Sequence, residues 1–206
     1  MAIEIRTRRE AGGDLPILLW RLPAPLRAIA SAPHGGGIGV RRWVVNAQVP
    51  PSYARRDPDH HLGKLGVSLG LRGRGVGMLT AADVRRYTTA GEHGIEVTTT
   101  VGLGHALLAA APHDPRPVPL AGTINVIAFL PERLSDAALV NAIATSTEAK
   151  SQALSDLGLD ATGTATDAIC ILCPDEGRPH DFGGPRSPWG SRLARAVHQS
   201  VLASRR

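Results

Sequence analysis

The sequence predicts an α/β protein of the α+β type, in which a mixed β-sheet is packed by helices within one domain spanning residues 1–206. Short apolar segments separated by proline and glycine predict strands in the first half of the chain. Longer amphipathic segments predict helices in the second half. With 206 residues, 43% of them hydrophobic, one domain can bury a full core without a metal or a disulfide.

The first half of the chain is predicted to contain mainly strands. Four segments have strand-like composition: residues 3–6, 17–20, 39–46 and 75–79. Pro23, Pro25 and the three glycines at 35–37 predict turns between them. Asp57 and Pro58 predict the start of a short helix, because an acidic cap followed by proline is typical of a helix N-terminus.

The second half combines strands with longer helices. Strands are predicted at residues 95–101, 123–130 and 168–172. Thr80 is expected to cap a helix that starts at the next residue, and Ser135 to cap the longest helix, which Gly158 ends. Residues 112–119 are predicted to form a proline-rich loop. Ser187 is predicted to cap a C-terminal helix.

Charge and composition argue against nucleic-acid and membrane partners. The net charge is +5, but the arginines are spread along the chain in separated pairs, and only seven aromatic residues are available for base stacking. Residues 1–13 lack the apolar core of a signal peptide, and no segment approaches the ~20 apolar residues that span a bilayer. We therefore expect a soluble cytoplasmic protein.

The two cysteines are predicted to be buried thiols. Cys170 and Cys173 lie within an apolar segment, where residues three apart face opposite sides of a strand. Two thiols do not complete a four-ligand zinc site, and the eight histidines form no metal-binding spacing. We therefore predict no metal site and no cofactor.

The long helix carries an unusual lysine. On a helical wheel, Lys150 falls in the middle of the apolar face, whereas Glu148 lies on a polar stripe across the helix. Such a lysine either extends past the helix edge to water or belongs to a polar site. Lys150 or Glu148 is therefore a candidate amine or carboxylate of a substrate pocket.

Threonines alternate just after this helix. Thr162, Thr164 and Thr166 would point three hydroxyls to one side of an extended chain, with Asp167 on the other side. Hydroxyls and the adjacent backbone N–H groups could bind a polar substrate or an oxyanion. A solvated threonine face is the alternative. The glycine-rich segments match neither a phosphate-binding loop nor a serine hydrolase elbow.

Several segments, in order, resemble the adenosylcobinamide amidohydrolase family. They cover residues 30–202 and include 46–49, 77–84, 99–102, 122–125, 147–150 and 162–168. The resemblance implies hydrolysis of the amide between the aminopropanol arm and the corrin ring, with a corrinoid as substrate rather than cofactor. The products would be adenosylcobyric acid and 1-amino-2-propanol.

The resemblance also suggests roles for individual residues. Glu148 or Asp167 would activate water, Lys150 would donate a proton or stabilise the oxyanion, and Thr164 would assist. The predicted substrate-positioning residues are Asn46, Thr80, Asp83, Asn125, Thr162 and Thr166. A threonine or lysine nucleophile with a covalent acyl intermediate is the competing mechanism.

Three other functions remain as alternatives. The chain could be a non-catalytic corrinoid-binding module, an unrelated amidase or acyltransferase with a threonine-rich site, or a nucleic-acid binder, for which only the basic net charge speaks. The sequence does not give the oligomeric state, and a homo-oligomer is one candidate.

Overall fold

The computed structural model describes residues 1–10, 13–112 and 122–204. It confirms the predicted fold class, with a large mixed sheet packed by three helices in this part of the chain. The strands are β1 Glu4–Glu10, β2 Gly13–Ala30, β3 Gly37–Gln48, β4 Val76–Thr80, β5 Thr88–Glu92, β6 Ile95–Val101, β7 Ala106–Leu107, β8 Ile124–Phe129, β9 Gly163–Thr164 and β10 Ala168–Pro174. The helices are α1 Pro58–Ser68, α2 Asp136–Asp156 and α3 Pro188–Ala203.

The main sheet has the order β4-β3-β2-β10-β8-β6-β5. Strands β3 and β4 run parallel, as do β8 and β10, and the other pairs along this path are antiparallel. Strand β1 pairs with the first part of β2, and β10 pairs with its last part. The long strand β2 therefore connects two halves of the sheet.

The prediction that Pro23 and Pro25 end a strand is wrong. Both lie inside β2, where the register against β3 shifts between Arg21 and Leu26. Proline cannot donate a ladder hydrogen bond, so within a sheet it is tolerated at such an irregularity. The irregularity lies between the segments of β2 that pair with β1 and with β10.

The sheet curls so that strands far apart in its order come into contact. Asn46 on β3 donates to Thr100 Oγ1 on β6 across 2.9 Å and accepts from Asn125 Nδ2 on β8 across 2.8 Å. In the sheet order, β2 and β10 lie between β3 and β8. A buried core containing Trp20 and Met78 fills the space inside the curl.

Helices cover the outside of the sheet. Helices α2 and α3 pack on β6, β8 and β10, and α1 packs on β3 and neighbouring strands. The predicted ends of α2 are confirmed, since Ser135 accepts from the Ala138 N–H and Gly158 adopts a φ of +74°. Among the described residues, no helix combines the length and apolar character needed to cross a bilayer.

The prediction that Thr80 starts a helix is wrong. Thr80 is the last residue of β4, and its hydroxyl accepts from the Ala82 N–H at 3.1 Å. Asp83 instead caps a single 3₁₀ turn over Val84–Arg86. Strand β5 then begins at Thr88, because the chain returns at once to pair with β6. Most of the predicted proline-rich loop lies outside the described residues.

Both cysteines are buried free thiols on opposite sides of β10, as predicted. Cys170 belongs to the core inside the curl, and Cys173 belongs to the core beneath α2 and α3. Burial raises the pKa of the Cys170 thiol to about 12 and also raises that of Cys173. A thiol must ionise to react as a nucleophile, so neither cysteine is suited to act as a nucleophile.

We predict that neither cysteine reacts with a disulfide reagent such as dithionitrobenzoate at pH 8 while the protein is folded. Both should react once denaturant unfolds the chain, which a spectrophotometric thiol titration measures. Rapid modification of a thiol without denaturant would contradict the burial of this strand.

Candidate active site

A cavity lies where strand ends from both halves of the sheet meet. Its volume is about 390 Å³. The polar residues on its wall are Ser31, Tyr53, Arg55, Thr80, Thr123, Thr166 and Asp167. Val49, Leu79 and Ala168 contribute apolar surface. An apolar pocket with a few convergent polar groups is typical of a small-molecule site.

Asp167 lies on this wall and forms an ion pair with Lys150. The two side chains are 11% and 7% exposed, so the pair is largely removed from water. Of the two alternatives that the sequence left open for Lys150, this placement fits membership of a polar site and not extension to water. Because little water lies between them to screen the charges, the ammonium and the carboxylate attract each other, and removing either would leave the other as an unpaired buried charge.

Four donors converge on the Asp167 carboxylate. Oδ1 accepts from the Ile124 N–H at 2.8 Å and from the Thr164 hydroxyl at 2.6 Å. Oδ2 accepts from the Thr164 N–H at 3.1 Å and from Lys150 Nζ. A carboxylate has about four acceptor sites. All of those on Asp167 are therefore in use within the protein.

Glycine at position 163 makes room for this pair. A Cβ added to Gly163 would collide with Asp167 Oδ2 and with Lys150 Nζ. Strand β9 can therefore pass this close to the ion pair only because residue 163 has no side chain. Close packing against the ion pair therefore explains why the threonine-rich segment has glycine at position 163.

The threonine-rich segment is not an extended strand, which corrects the prediction of three hydroxyls on one side. Residues 165 and 166 form a turn that brings Asp167 back onto Thr164. Thr162 instead accepts from the Ala109 N–H at 2.8 Å, and Thr166 donates to the Gly122 carbonyl at 3.1 Å. Each hydroxyl of this segment therefore has its own partners, and of the three only that of Thr166 belongs to a residue that lines the cavity.

Thr123 and Thr166 form a hydroxyl pair on the cavity wall. Their Oγ1 atoms are 2.6 Å apart. Since Thr166 donates to Gly122, Thr123 supplies the proton between the two hydroxyls. Thr123 was not among the predicted site residues, although it lies beside Asn125 in one of the segments that carry the resemblance.

Asn46 and Asn125 are fully buried behind the cavity rather than on its wall. Asn125 donates to Asn46 and to the Leu79 carbonyl, at 2.8 and 3.0 Å. No partner for Asn125 Oδ1 occurs within the described residues. This placement favours a role in holding the curled sheet together. Direct contact of either amide with substrate stays a prediction.

Three further predicted residues lie away from the cavity wall. Glu148 is exposed on α2, and Asp83 is exposed and caps the turn after β4. Thr162 binds backbone groups of Leu107 and Ala109. The structure therefore brings together Thr80, Asp167 and Thr166 on the wall, with Lys150 and Thr164 behind Asp167.

Sequence reasoning missed a second polar chain that reaches the cavity. The Tyr53 hydroxyl lies 2.9 Å from His61 Nδ1, and His61 Nε2 lies 2.9 Å from Glu10 Oε1. Arg8 Nε donates to the same glutamate at 2.7 Å. His61 is buried, whereas Tyr53 lines the cavity. Glu10 and His61 are 51 residues apart, so no local motif could reveal the pairing.

Burial and hydrogen bonding shift the pKa values of two groups in this chain of contacts. Burial raises the pKa of Tyr53 above its usual value. Burial alone would raise the pKa of Glu10, but the hydrogen bonds from Arg8 and His61 outweigh that effect and hold it below its usual value. Tyr53 therefore keeps its proton at neutral pH, and Glu10 keeps its negative charge.

Within residues 1–10, 13–112 and 122–204, no three histidine, cysteine or acidic side chains lie close enough together to hold a metal ion. The wall of the cavity offers hydroxyls, one carboxylate, a phenol and the guanidinium of Arg55. These are groups suited to hydrogen bonding and proton transfer.

The adenosylcobinamide amidohydrolase family matches the chain over residues 2–206. The chain belongs to the adenosylcobinamide amidohydrolase family. The match extends over the first 30 residues, beyond the segments that carry the resemblance.

Two curated relatives bear the name of this family. The adenosylcobinamide amidohydrolase of Methanosarcina mazei is 28% identical over 85% of this chain and 88% of its own length. That of Halobacterium salinarum is 33% identical over 53% of this chain and 49% of its own length. An uncharacterized protein of Methanocaldococcus jannaschii is 37% identical over 39% of this chain and 34% of its own.

A solved structure shares the fold. The crystal structure of the PH0078 protein from Pyrococcus horikoshii OT3 aligns with a TM-score of 0.51 over 98% of this chain and 83% of its own. Its sequence identity to this amidohydrolase family member is 11%, so the likeness concerns the fold alone.

We predict that Lys150 and Asp167 are energetically coupled. Lys150→Met and Asp167→Asn should each lower the free energy of unfolding by about 3–5 kcal/mol, because each leaves a buried charge without its partner. The double variant should lose less than the sum of the two. Urea denaturation of the four proteins measures the coupling.

Lys64→Met is the matched control, since Lys64 is the other lysine of the chain and is exposed. Its substitution should change stability by no more than about 0.5 kcal/mol. Additive losses in the double variant would show that the two charges do not depend on each other.

Proposed function

We propose that this chain hydrolyses the amide joining the aminopropanol arm of adenosylcobinamide to a propionate of the corrin ring. The products are adenosylcobyric acid and 1-amino-2-propanol. Family membership supports the corrinoid substrate. The observation that carries the proposal is a cavity whose wall holds Asp167, anchored by the buried Lys150, beside threonine hydroxyls.

The size of the cavity suggests which part of the substrate enters it. Pockets of about 300–1,000 Å³ hold drug-sized ligands, and this cavity, at about 390 Å³, is at the small end. A corrin ring with its amide arms and adenosyl group is larger than that. We therefore propose that the aminopropanol arm and its amide occupy the cavity, while the ring lies across its rim.

Two threonines are suited to bind the substrate amide. Thr80 accepts from the Ala82 N–H, so its hydroxyl proton can be directed to a substrate acceptor. Thr123 can likewise turn its proton from Thr166 toward the cavity. Hydroxyls placed around an amide carbonyl can stabilise the negative charge that develops on its oxygen during attack.

Asp167 and Lys150 fit a positioning role better than the roles predicted from sequence. To act as a base, Asp167 would have to lose one of its four donors. Lys150 does not line the cavity, so it acts on the substrate through Asp167. We propose that the pair fixes Thr164, Thr166 and the start of β8. The acceptor for the proton of water then comes from elsewhere on the wall.

A water nucleophile is favoured over a covalent threonine. The Thr164 hydroxyl donates to Asp167, as an activated nucleophile would, but Thr164 does not line the cavity. The water route predicts that the intact mass of the protein stays unchanged during turnover. A protein species heavier by the corrinoid acyl group would establish the covalent route instead.

We expect the purified full chain to release 1-amino-2-propanol and adenosylcobyric acid from adenosylcobinamide in equal amounts. Mass spectrometry of both products measures the reaction. The assay should be repeated with chelator present, and the proposal invokes no metal, so the rate should not change. Tight binding of adenosylcobinamide without release of aminopropanol would identify a corrinoid-binding module instead.

Asp167→Asn should lower kcat at least about 100-fold, because it breaks the ion pair that fixes the cavity wall. Asp160→Asn is the matched control, since that aspartate is exposed. Glu148→Gln should leave kcat within about two-fold, because an exposed side chain outside the cavity does not contact the reacting amide. A large loss in Glu148→Gln with normal Asp167→Asn would restore Glu148 as the catalytic carboxylate.

A further inference from the structure

Hydrolysis at this cavity requires a group that accepts a proton from water and later returns one to the leaving amine. Asp167 is saturated with donors, and Glu148 is exposed away from the wall. The polar groups on the wall are otherwise hydroxyls, a guanidinium and the Tyr53 phenol. Of these, Tyr53 is hydrogen-bonded to a histidine.

We propose that Tyr53, His61 and Glu10 form a proton relay in which Tyr53 is the catalytic residue that contacts the nucleophilic water and the leaving amine. His61 and Glu10 are positioning residues that act through Tyr53. The relay rests on the proposed amide hydrolysis, and it names the proton acceptor and donor of that reaction.

The hydrogen-bond order fits such a relay. Glu10 can only accept, because its carboxylate is ionised, so His61 Nε2 carries the proton between them. The relay requires the neutral imidazole, in which His61 Nδ1 accepts the hydrogen bond from the Tyr53 hydroxyl. The lone pairs of the phenol oxygen remain for a proton from the cavity. This arrangement matches the logic of a hydroxyl, an imidazole and a carboxylate in series.

The proton count closes over one turnover. As water attacks the amide carbon, its proton passes to the Tyr53 oxygen and the original Tyr53 proton passes to His61 Nδ1. The imidazolium formed is stabilised by Glu10. When the C–N bond breaks, the same two transfers run backward and place a proton on the amine nitrogen. Acid and amine leave, and the relay returns to its starting state.

Three separate segments hold the relay in place. Tyr53 sits in the turn after β3, where its N–H donates to the Pro50 carbonyl at 2.9 Å. His61 belongs to α1, and its ring stacks on Tyr53 with centroids 5.6 Å apart. Arg8 holds Glu10 and also donates to the Gln48 carbonyl at 2.7 Å, which ties β1 to the end of β3.

A purely structural role for these contacts is the competing explanation. The three side chains could simply brace the turn after β3 against α1. Bracing and proton relay differ in what they change, because loss of a brace lowers the melting temperature together with kcat, whereas loss of a proton relay lowers kcat and leaves the melting temperature and KM near their wild-type values.

The experiment compares Tyr53→Phe, His61→Gln and their double variant in the full chain, with adenosylcobinamide as substrate. Tyr53→Phe keeps the ring and removes only the hydroxyl, so folding should survive and the melting temperature checks this. We expect kcat to fall about 100-fold or more in each single variant, with little change in KM. The double variant should be no slower than the worse single one.

Matched controls exist for both substitutions. Tyr87→Phe changes the other tyrosine of the chain, and His60→Gln changes the exposed histidine next to His61. Both should keep the wild-type kcat. Glu10→Gln should reduce kcat less than His61→Gln, because it weakens the stabilisation of the imidazolium without removing the acceptor.

Two results overturn the relay. One is a wild-type kcat in Tyr53→Phe, and the other is a loss of kcat in Tyr53→Phe that is accompanied by a lower melting temperature, which would mark a structural brace. If wild-type protein releases no aminopropanol at all, the proposed hydrolysis fails, and the relay fails with it. Active wild type with active Tyr53→Phe therefore separates failure of the relay from failure of the function.

Discussion

The buried pair of Lys150 and Asp167 is the constraint on which the site depends. A lysine in the apolar face of α2 is stable only beside an opposite charge, and that charge must itself be fully hydrogen-bonded. The requirement fixes the turn at 165–166, excludes a side chain at Gly163 and ties Asp167, the residue before β10, to the first residue of β8. The cavity wall is therefore ordered by an interaction that mostly lies behind it.

The curl of the sheet adds the second half of the site. Strands β3 and β4 end beside the starts of β8 and β10 because Asn46 and Asn125 join them across the inside of the sheet. Burying an amide is costly unless it is hydrogen-bonded, and these two bond to each other, to Thr100 and to the Leu79 carbonyl. The register shift in β2 near Pro23 and Pro25 lies between the part of β2 that pairs with β1 and the part that pairs with β10. Thr80 and Thr123 thus come to one cavity although they belong to different halves.

Local chemistry predicted most of the fold and only part of the site. Hydrophobic pattern and capping residues predicted seven of the ten strands, β2 only in part, and the ends of α2, because these depend on neighbouring residues. The predictions made from Pro23, Pro25 and Thr80 were wrong, because the conformation of these residues depends on pairing with distant strands. Lys150 was recognisable because its charge contradicted its helical face. Glu10 and His61 could not be recognised in the sequence, because neither is unusual in its own segment and only their contact in the fold suggests a function.

Two charge systems from different parts of the chain meet the same cavity. One joins α2 to β10 through Lys150 and Asp167, and the other joins β1 to α1 through Arg8, Glu10 and His61. Each carboxylate has its own cation, so a neutral amide can enter without meeting an uncompensated charge. In the proposed hydrolysis, negative charge then appears only on the substrate oxygen as it is attacked, beside hydroxyls that already have fixed positions. A site of this kind binds the ground state weakly and the charged intermediate more strongly, which is the condition for catalysis.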